Sequence, residues 1–203
     1  MTVQTLFYTM DNKDGVDLNN VQSSISVTTD PSVPAPRAKL GDRVQGCNGS
    51  EWMFVQASAT VTCFNVVAID SNSQARNITA TLLASNAYAY GIAEVQPNQM
   101  GATVSIGNAN GGVVNAGDYF WAAMKITNGG QVNVLTTAAL GAKLYIGLLP
   151  GTLTSTGPTT ATASAPWMMG IVNIELLATI SVPEPAEFIG MGYIIPFVSA
   201  ASV

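Results

Sequence analysis

Residues 40–70, LGDRVQGCNGSEWMFVQASATVTCFNVVAID, decide the fold. Two short runs, 42–45 and 51–57, flank Gly46-Cys47-Asn48-Gly49-Ser50. The two glycines and the Asn-Gly pair of that loop tolerate the positive φ of a tight turn, so the stretch predicts a β-hairpin. In its second strand Glu51, Met53, Val55 and Ala57 fall on one face, and Trp52, Phe54, Gln56 and Ser58 on the other. Bulky apolar groups on both faces predict a strand covered on both sides. Val66-Val67-Ala68-Ile69 then gives a third extended segment, closed by the polar cluster Asp70-Ser71-Asn72-Ser73.

Outward from that stretch the same signals recur. Strands are predicted over 77–83, 88–96, 104–106, 119–125, 132–135 and 143–148, with a short helical turn at 136–141. Short strands at this spacing, with turn residues between them, favour a β-sandwich or a small barrel. Residues 1–36 read as an extended N-terminal arm, with one strand over 21–29, ended by Pro31, Pro34 and Pro36. Residues 37–150 read as the barrel core. Residues 151–203 read as a Thr/Ser-rich exposed loop (152–165) followed by strands that return to the core. The fold class is therefore all-β.

Composition bounds the function. Apolar residues are 48% of the 203 and charged residues only 9%, against about a quarter charged in ordinary soluble domains. Thr, Ser, Asn, Gly and Ala take the place of the charged coat. Such a surface suits burial against other copies or another protein, because few charges need desolvating. The net charge of −5 and seven scattered basic residues argue against a nucleic-acid partner. Arg37, Lys39 and Arg43 are expected to pair with Asp42 or with a partner's carboxylates. No apolar run approaches the ~18 residues of a membrane span. Met1 to Met10 lacks the basic segment and apolar core of an export signal. Cys47 and Cys63 are accordingly expected as free thiols on neighbouring strands, although a bridge between them stays open.

The residues give no catalytic, cofactor or metal site. The chain has no histidine, which removes Ser-His-Asp and Cys-His arrangements and histidine metal ligands. Placing Gly15 at the sixth position of an EF-hand loop puts Met10 first and Val21 twelfth, where carboxylates are required, so residues 11–17 read as a solvated turn. The glycine-rich loop 107–112 lacks the spacing of a phosphate cradle. Glu184 and Glu187 flank Pro185 and read as solvated loop carboxylates rather than a glycosidase pair. Lys125 and Lys143 lie in apolar strands, where a nucleophile is conceivable but a strand-end or edge role is the ordinary one. Trp52, Trp121 and Trp167 suit a β-core or an interface better than a sugar-binding surface. The chain is not expected to be an enzyme.

Four stretches together resemble the head decoration (cement) proteins of tailed bacteriophages. They are KLGDRVQGCNGSEWMFVQASATVTCFNVVAID (39–70), YAYGIAEVQ (88–96), AGDYFWAAMK (116–125) and GAKLYIGLLPGTLT (141–154). Their order and spacing carry the resemblance, which covers about residues 39–155 and, less clearly, 170–197. It implies a small β-barrel or β-tulip, made in the host cytoplasm and seated on the outside of an icosahedral shell, often as a homotrimer. The implied partners are the major capsid protein and further copies of the chain. The implied role is mechanical bridging of capsomers, with no catalytic residues. The alternative is a virion fibre or spike protein that binds a host surface or glycan through exposed tryptophans. A glycan hydrolase is a remote third reading.

Overall fold

The computed structural model describes residues 18, 21–22, 38–46, 49–79, 88–95, 103–104, 112–126, 130–134, 143–146, 149–154, 167–173 and 184–197. Among them every regular element is a strand. In chain order these are β1 (Val21–Gln22), β2 (Arg43–Gln45), β3 (Glu51–Ala57), β4 (Val61–Thr62), β5 (Val66–Ile69), β6 (Gln74–Asn77) and β7 (Ala89–Ile92). They continue with β8 (Thr103–Val104), β9 (Gly112–Val114), β10 (Tyr119–Ile126), β11 (Gly130–Val134) and β12 (Lys143–Ile146). The last are β13 (Leu153–Thr154), β14 (Trp167–Asn173) and β15 (Glu184–Phe197).

The hairpin predicted from the opening stretch is β2–β3, with Val44 opposite Trp52. Its loop closes with the Gly46 N–H on the Ser50 carbonyl, and Gly49 takes the positive φ that the Asn-Gly pair foretold. Five strands then close a barrel in the order β3–β10–β7–β5–β6 and back to β3. Every contact in this ring is antiparallel except β3–β6, where Gln56 and Ala57 lie beside Gln74 and Ala75.

Alternation along each strand sorts the apolar residues into two groups. Met53, Val55, Ala57, Val67, Ile69, Ala75, Ala89, Phe120, Ala122 and Met124 pack together as the barrel interior. A barrel interior narrows with strand number, and eight strands already leave room only for side chains. Five strands leave less, which accounts for the alanines and for Gly91. A Cβ at Gly91 would stand 3.0 Å from the Ala123 carbonyl, 3.2 Å from the Ala122 Cβ and 3.3 Å from the Met124 sulfur. The small sheet β4–β9–β8 lies alongside, and its Val61 and Val114 join the same packed group.

The opposite face of the barrel wall carries Trp52, Phe54, Val66, Ile92, Trp121 and Ala123. Val132 and Val134 of β11, Leu144 of β12 and Leu153 of β13 cover it. Phe54 stacks on Tyr119 at 5.8 Å and tilts against Trp121 at 5.0 Å. The covering strands form a second ring of pairings, β11–β13–β12–β14–β15 and back to β11. The two rings meet where Lys125 and Ile126 of β10 pair with Tyr193 and Gly192 of β15.

Several expectations shift. A strand forms at Gln74–Asn77; of the strand expected over 77–83, Ile78 and Thr79 belong to no strand and 80–83 lie outside the described residues. Asp70 is the reason: its carboxylate accepts the N–H groups of Asn72 and Gln74 at 2.8 and 2.9 Å, so the chain reverses at once and pairs with β5. The stretch 152–165 was expected as an exposed loop, yet Thr152 and Leu153 are buried and Leu153–Thr154 is a strand between β11 and β12. Glu184 and Glu187 lie in β15 opposite Val134 and Gln131, not in a loop. Among the described residues, 184–187 pair with β11 alone, and Asn133, opposite Pro185, gives its N–H to the Phe64 carbonyl, so this position of the ladder asks no donor of the proline. Within the expected arm, Leu18 is fully buried and Val21–Gln22 pairs with Phe120 and Tyr119 of β10. The loop 11–17, residues 107–111, the turn expected at 136–141 and residues 155–165 of the expected exposed loop lie outside the described residues.

Gly91→Val forces a branched side chain against the Ala123 backbone inside the barrel. Overpacking of this kind costs about 1–3 kcal/mol, which a lowered urea midpoint with an unchanged slope will report.

Candidate functional site

The polar groups that the fold brings together inside the molecule lie where the barrel meets the second ring. Asn65 directly precedes β5, Asn77 ends β6, Asn133 sits in β11, and Pro150-Gly151 form the turn before β13. The Asn133 Nδ2 donates to the Cys63 carbonyl at 2.8 Å and to Asn65 Oδ1 at 2.7 Å. The Asn65 Nδ2 donates in turn to Asn77 Oδ1 at 3.2 Å and to the Pro150 carbonyl at 3.0 Å. Backbone bonds repeat the connection. The Asn133 N–H donates to the Phe64 carbonyl at 2.9 Å, the Val66 N–H to the Gly151 carbonyl at 2.8 Å, and the Gly151 N–H to the Ile78 carbonyl at 2.8 Å.

Backbone conformation makes the approach possible. Phe64 has φ of 63° and Gly151 has φ of 81°. A Cβ on Gly151 would run into the Asn65 amide, so glycine is required there twice over. The Asn133 Oδ1 is buried without a hydrogen-bond partner among the described residues, while its amino group serves two oxygens. Amides neither gain nor lose protons near neutral pH, so this cluster orients backbone and transfers nothing.

Cys63 lies beside the cluster and is wholly buried. Burial pushes its thiol from 9.0 up to about 12, opposed by a backbone hydrogen bond and helped, least of the three, by the Glu94 charge. Near neutral pH it is a protonated, enclosed thiol, the opposite of an activated nucleophile. It is a free cysteine, and Cys47 lies outside the described residues.

The other residues weighed from sequence are dispersed. Trp52 is fully buried, with its Nε1 donating to Ser50 Oγ at 2.9 Å, and Trp121 is buried beside it, so both are core residues. Trp167 lies at the start of β14 opposite Phe197 and Tyr145. Lys125 sits near the end of β10 with its Nζ 3.7 Å from a Glu51 carboxylate oxygen. Lys143 opens β12 opposite Val172. Asp42 accepts the Lys39 backbone N–H at 2.8 Å, capping the turn into β2. Among the described residues no three His, Cys, Asp or Glu side chains converge on a metal position, and no helix is long and apolar enough to cross a membrane.

Asn65 and Asn133 were not singled out from sequence. The only trace there is an isolated amide in an apolar setting, Phe64-Asn65-Val66 and Val132-Asn133-Val134. These features define an all-β protein with a closed five-stranded barrel and a polar joint to a second set of strands. No family model, curated protein or solved structure matches the chain.

Two outcomes follow from this geometry. Asn65→Ala leaves the Asn133 amino group with the Cys63 carbonyl as its remaining partner and takes the donor from Asn77 Oδ1 and the Pro150 carbonyl, at a cost of about 1–3 kcal/mol, readable as a lower urea midpoint. In a Cys47→Ser background, Cys63 resists alkylation at pH 7 until the protein is unfolded. Because its folded pKa is raised, its contribution to stability is complete below pH 9 and declines as pH rises toward 12. Cys63→Ala therefore loses less stability than the parent across that alkaline window.

Proposed function

We propose that this protein is a structural virion protein that decorates and stabilises the outside of an icosahedral phage capsid by bridging capsomers. The observation that carries the reading is the placement of the stretches on which the resemblance rests. The 39–70, 88–96 and 116–125 stretches supply β3, β5, β7 and β10, four of the five strands of the barrel ring, and β2, which pairs with β3. The 141–154 stretch supplies β12 and β13, whose Leu144 and Leu153 cover the outer face of that wall. The resemblance thus maps to one connected body rather than to scattered segments.

Composition and architecture support the same role. A shell under internal pressure loads its cement in shear and tension. Strands closed into rings offer no edge within the ring from which a ladder can be peeled. A surface of Thr, Asn, Ser and Ala buries against neighbouring capsomers with little charge desolvation. In this reading the partners are the major capsid protein and further copies of the chain, and the residues before Leu18 widen the footprint on the shell. The burial of Trp52 and Trp121 takes two of the three indoles away from any glycan surface.

Quantitative mass spectrometry of purified particles tests the reading. It predicts a molar ratio to the major shell protein near one or a simple fraction of one. A handful of copies per particle, or none, overturns it. Removal of residues 1–17, which leaves Leu18 and β1 in place, should weaken capsid binding while the thermal unfolding of the remainder is unchanged.

A further inference from the structure

We propose that the exposed edge of β2 pairs with the β2 edge of a second copy, antiparallel about a two-fold axis through Val44. The inference does not depend on the capsid reading.

The backbone sets the geometry. The Phe54 N–H donates to the Asp42 carbonyl and the Gly46 N–H to the Ser50 carbonyl. In the Val44–Trp52 register these bonds make residues 42, 44 and 46 the ones that face β3. Arg43 and Gln45 therefore turn their N–H and C=O groups away from β3. Both residues are exposed, and β2 ends the strand order with β3 as its recorded neighbour among the described residues. Centring the pair on Val44 sets each Arg43 opposite the other copy's Gln45. That arrangement exchanges four backbone hydrogen bonds and uses every outward group of the strand.

Side chains choose the occupant. Val44 is half-buried and packs on the Trp52 side of the wall, so at the axis it meets Val44 of the second copy across a close, non-hydrogen-bonded pair. On the opposite face Arg43 shares its side with Met53, and Gln45 with Glu51. The two-fold pairing brings Arg43 of one copy toward Glu51 of the other, twice. Glu51 already holds Lys125 at 3.7 Å, so each Arg43 adds a second cation to an anchored carboxylate. A charged residue on an edge normally deters pairing. Here it deters any register that lacks an acid opposite, and the two-fold register supplies one. The edge is short, so the contact belongs to the weak class of small interfaces.

Sedimentation velocity from micromolar to millimolar protein reads the outcome. The expected result is an even-numbered species, a dimer or a pair of larger rings, that halves in mass in Gln45→Pro. Proline at 45 removes an outward N–H and leaves the β2–β3 ladder intact, which far-UV circular dichroism checks. R43E sets like charges against Glu51 of the second copy and should halve the mass independently, so the test survives if Gln45→Pro misfolds. A monomer at every concentration, an odd-numbered assembly, or an even one unmoved by both substitutions overturns the proposal.

Discussion

The ladder between β3 and β10 is the constraint on which the remaining structure depends. From Tyr119 opposite Gln56 to Lys125 opposite Glu51, two apolar strands lie side by side with both faces buried. One face supplies Met53, Val55, Phe120, Ala122 and Met124 to the barrel interior. The other supplies Trp52, Phe54 and Trp121 to the layer beneath the second ring. β7, β5 and β6 close the circle on this pair, and β11, β12 and β13 cover its back. Side chains at successive positions leave for opposite cores, so a slip of one residue would exchange the two cores wholesale. The size difference between them, alanine-rich inside and aromatic outside, makes that slip untenable.

That division of labour explains what was legible in the sequence. The hairpin at 42–57, the run 66–69 and the aromatic strand at 119–125 could be read because their alternation is doubly apolar and their turns carry Asn-Gly, Asp70 or Gly117-Asp118. The misplacement of the strand around Asn77 has a different origin. Alternation in ITATLL outweighed the Asp70 carboxylate, although a side chain that accepts two backbone N–H groups commits the chain to reverse at that point. Leu153 was hidden in a Thr/Ser-rich context, since composition reports the average of a segment and not the one residue that fills a gap. Glu184 and Glu187 were read as loop residues because proline dominates local propensity, while a strand with a neighbour on one side accepts it.

The polar joint was illegible for a deeper reason. Asn65, Asn77 and Asn133 lie 12 and 68 residues apart along the pairs that bond, with no periodic relation. Asn65 and Asn77 bond within the barrel, and the meeting of the two packed bodies adds Asn133 to them. Apolar cover between those bodies is tolerant of small shifts, whereas an amide that donates to two oxygens at 2.7–2.8 Å is not. The joint therefore sets the angle at which the second ring sits, while Val132, Val134, Leu144 and Leu153 supply the adhesion.

The order of strands along the chain carries a consequence for synthesis. All five strands of the barrel ring are present once Ile126 has been made, but the second ring waits for Glu184–Phe197. In the interval the emerging chain holds a ring whose outer wall bears Trp52, Phe54 and Trp121, first bare and then, after Leu153, under strands that β15 has not yet closed into a ring. At about 5–20 residues per second, that sticky wall stays open for seconds on every ribosome. Crowded polysomes would then bring such walls together, which gives a chaperone a defined target on the nascent chain.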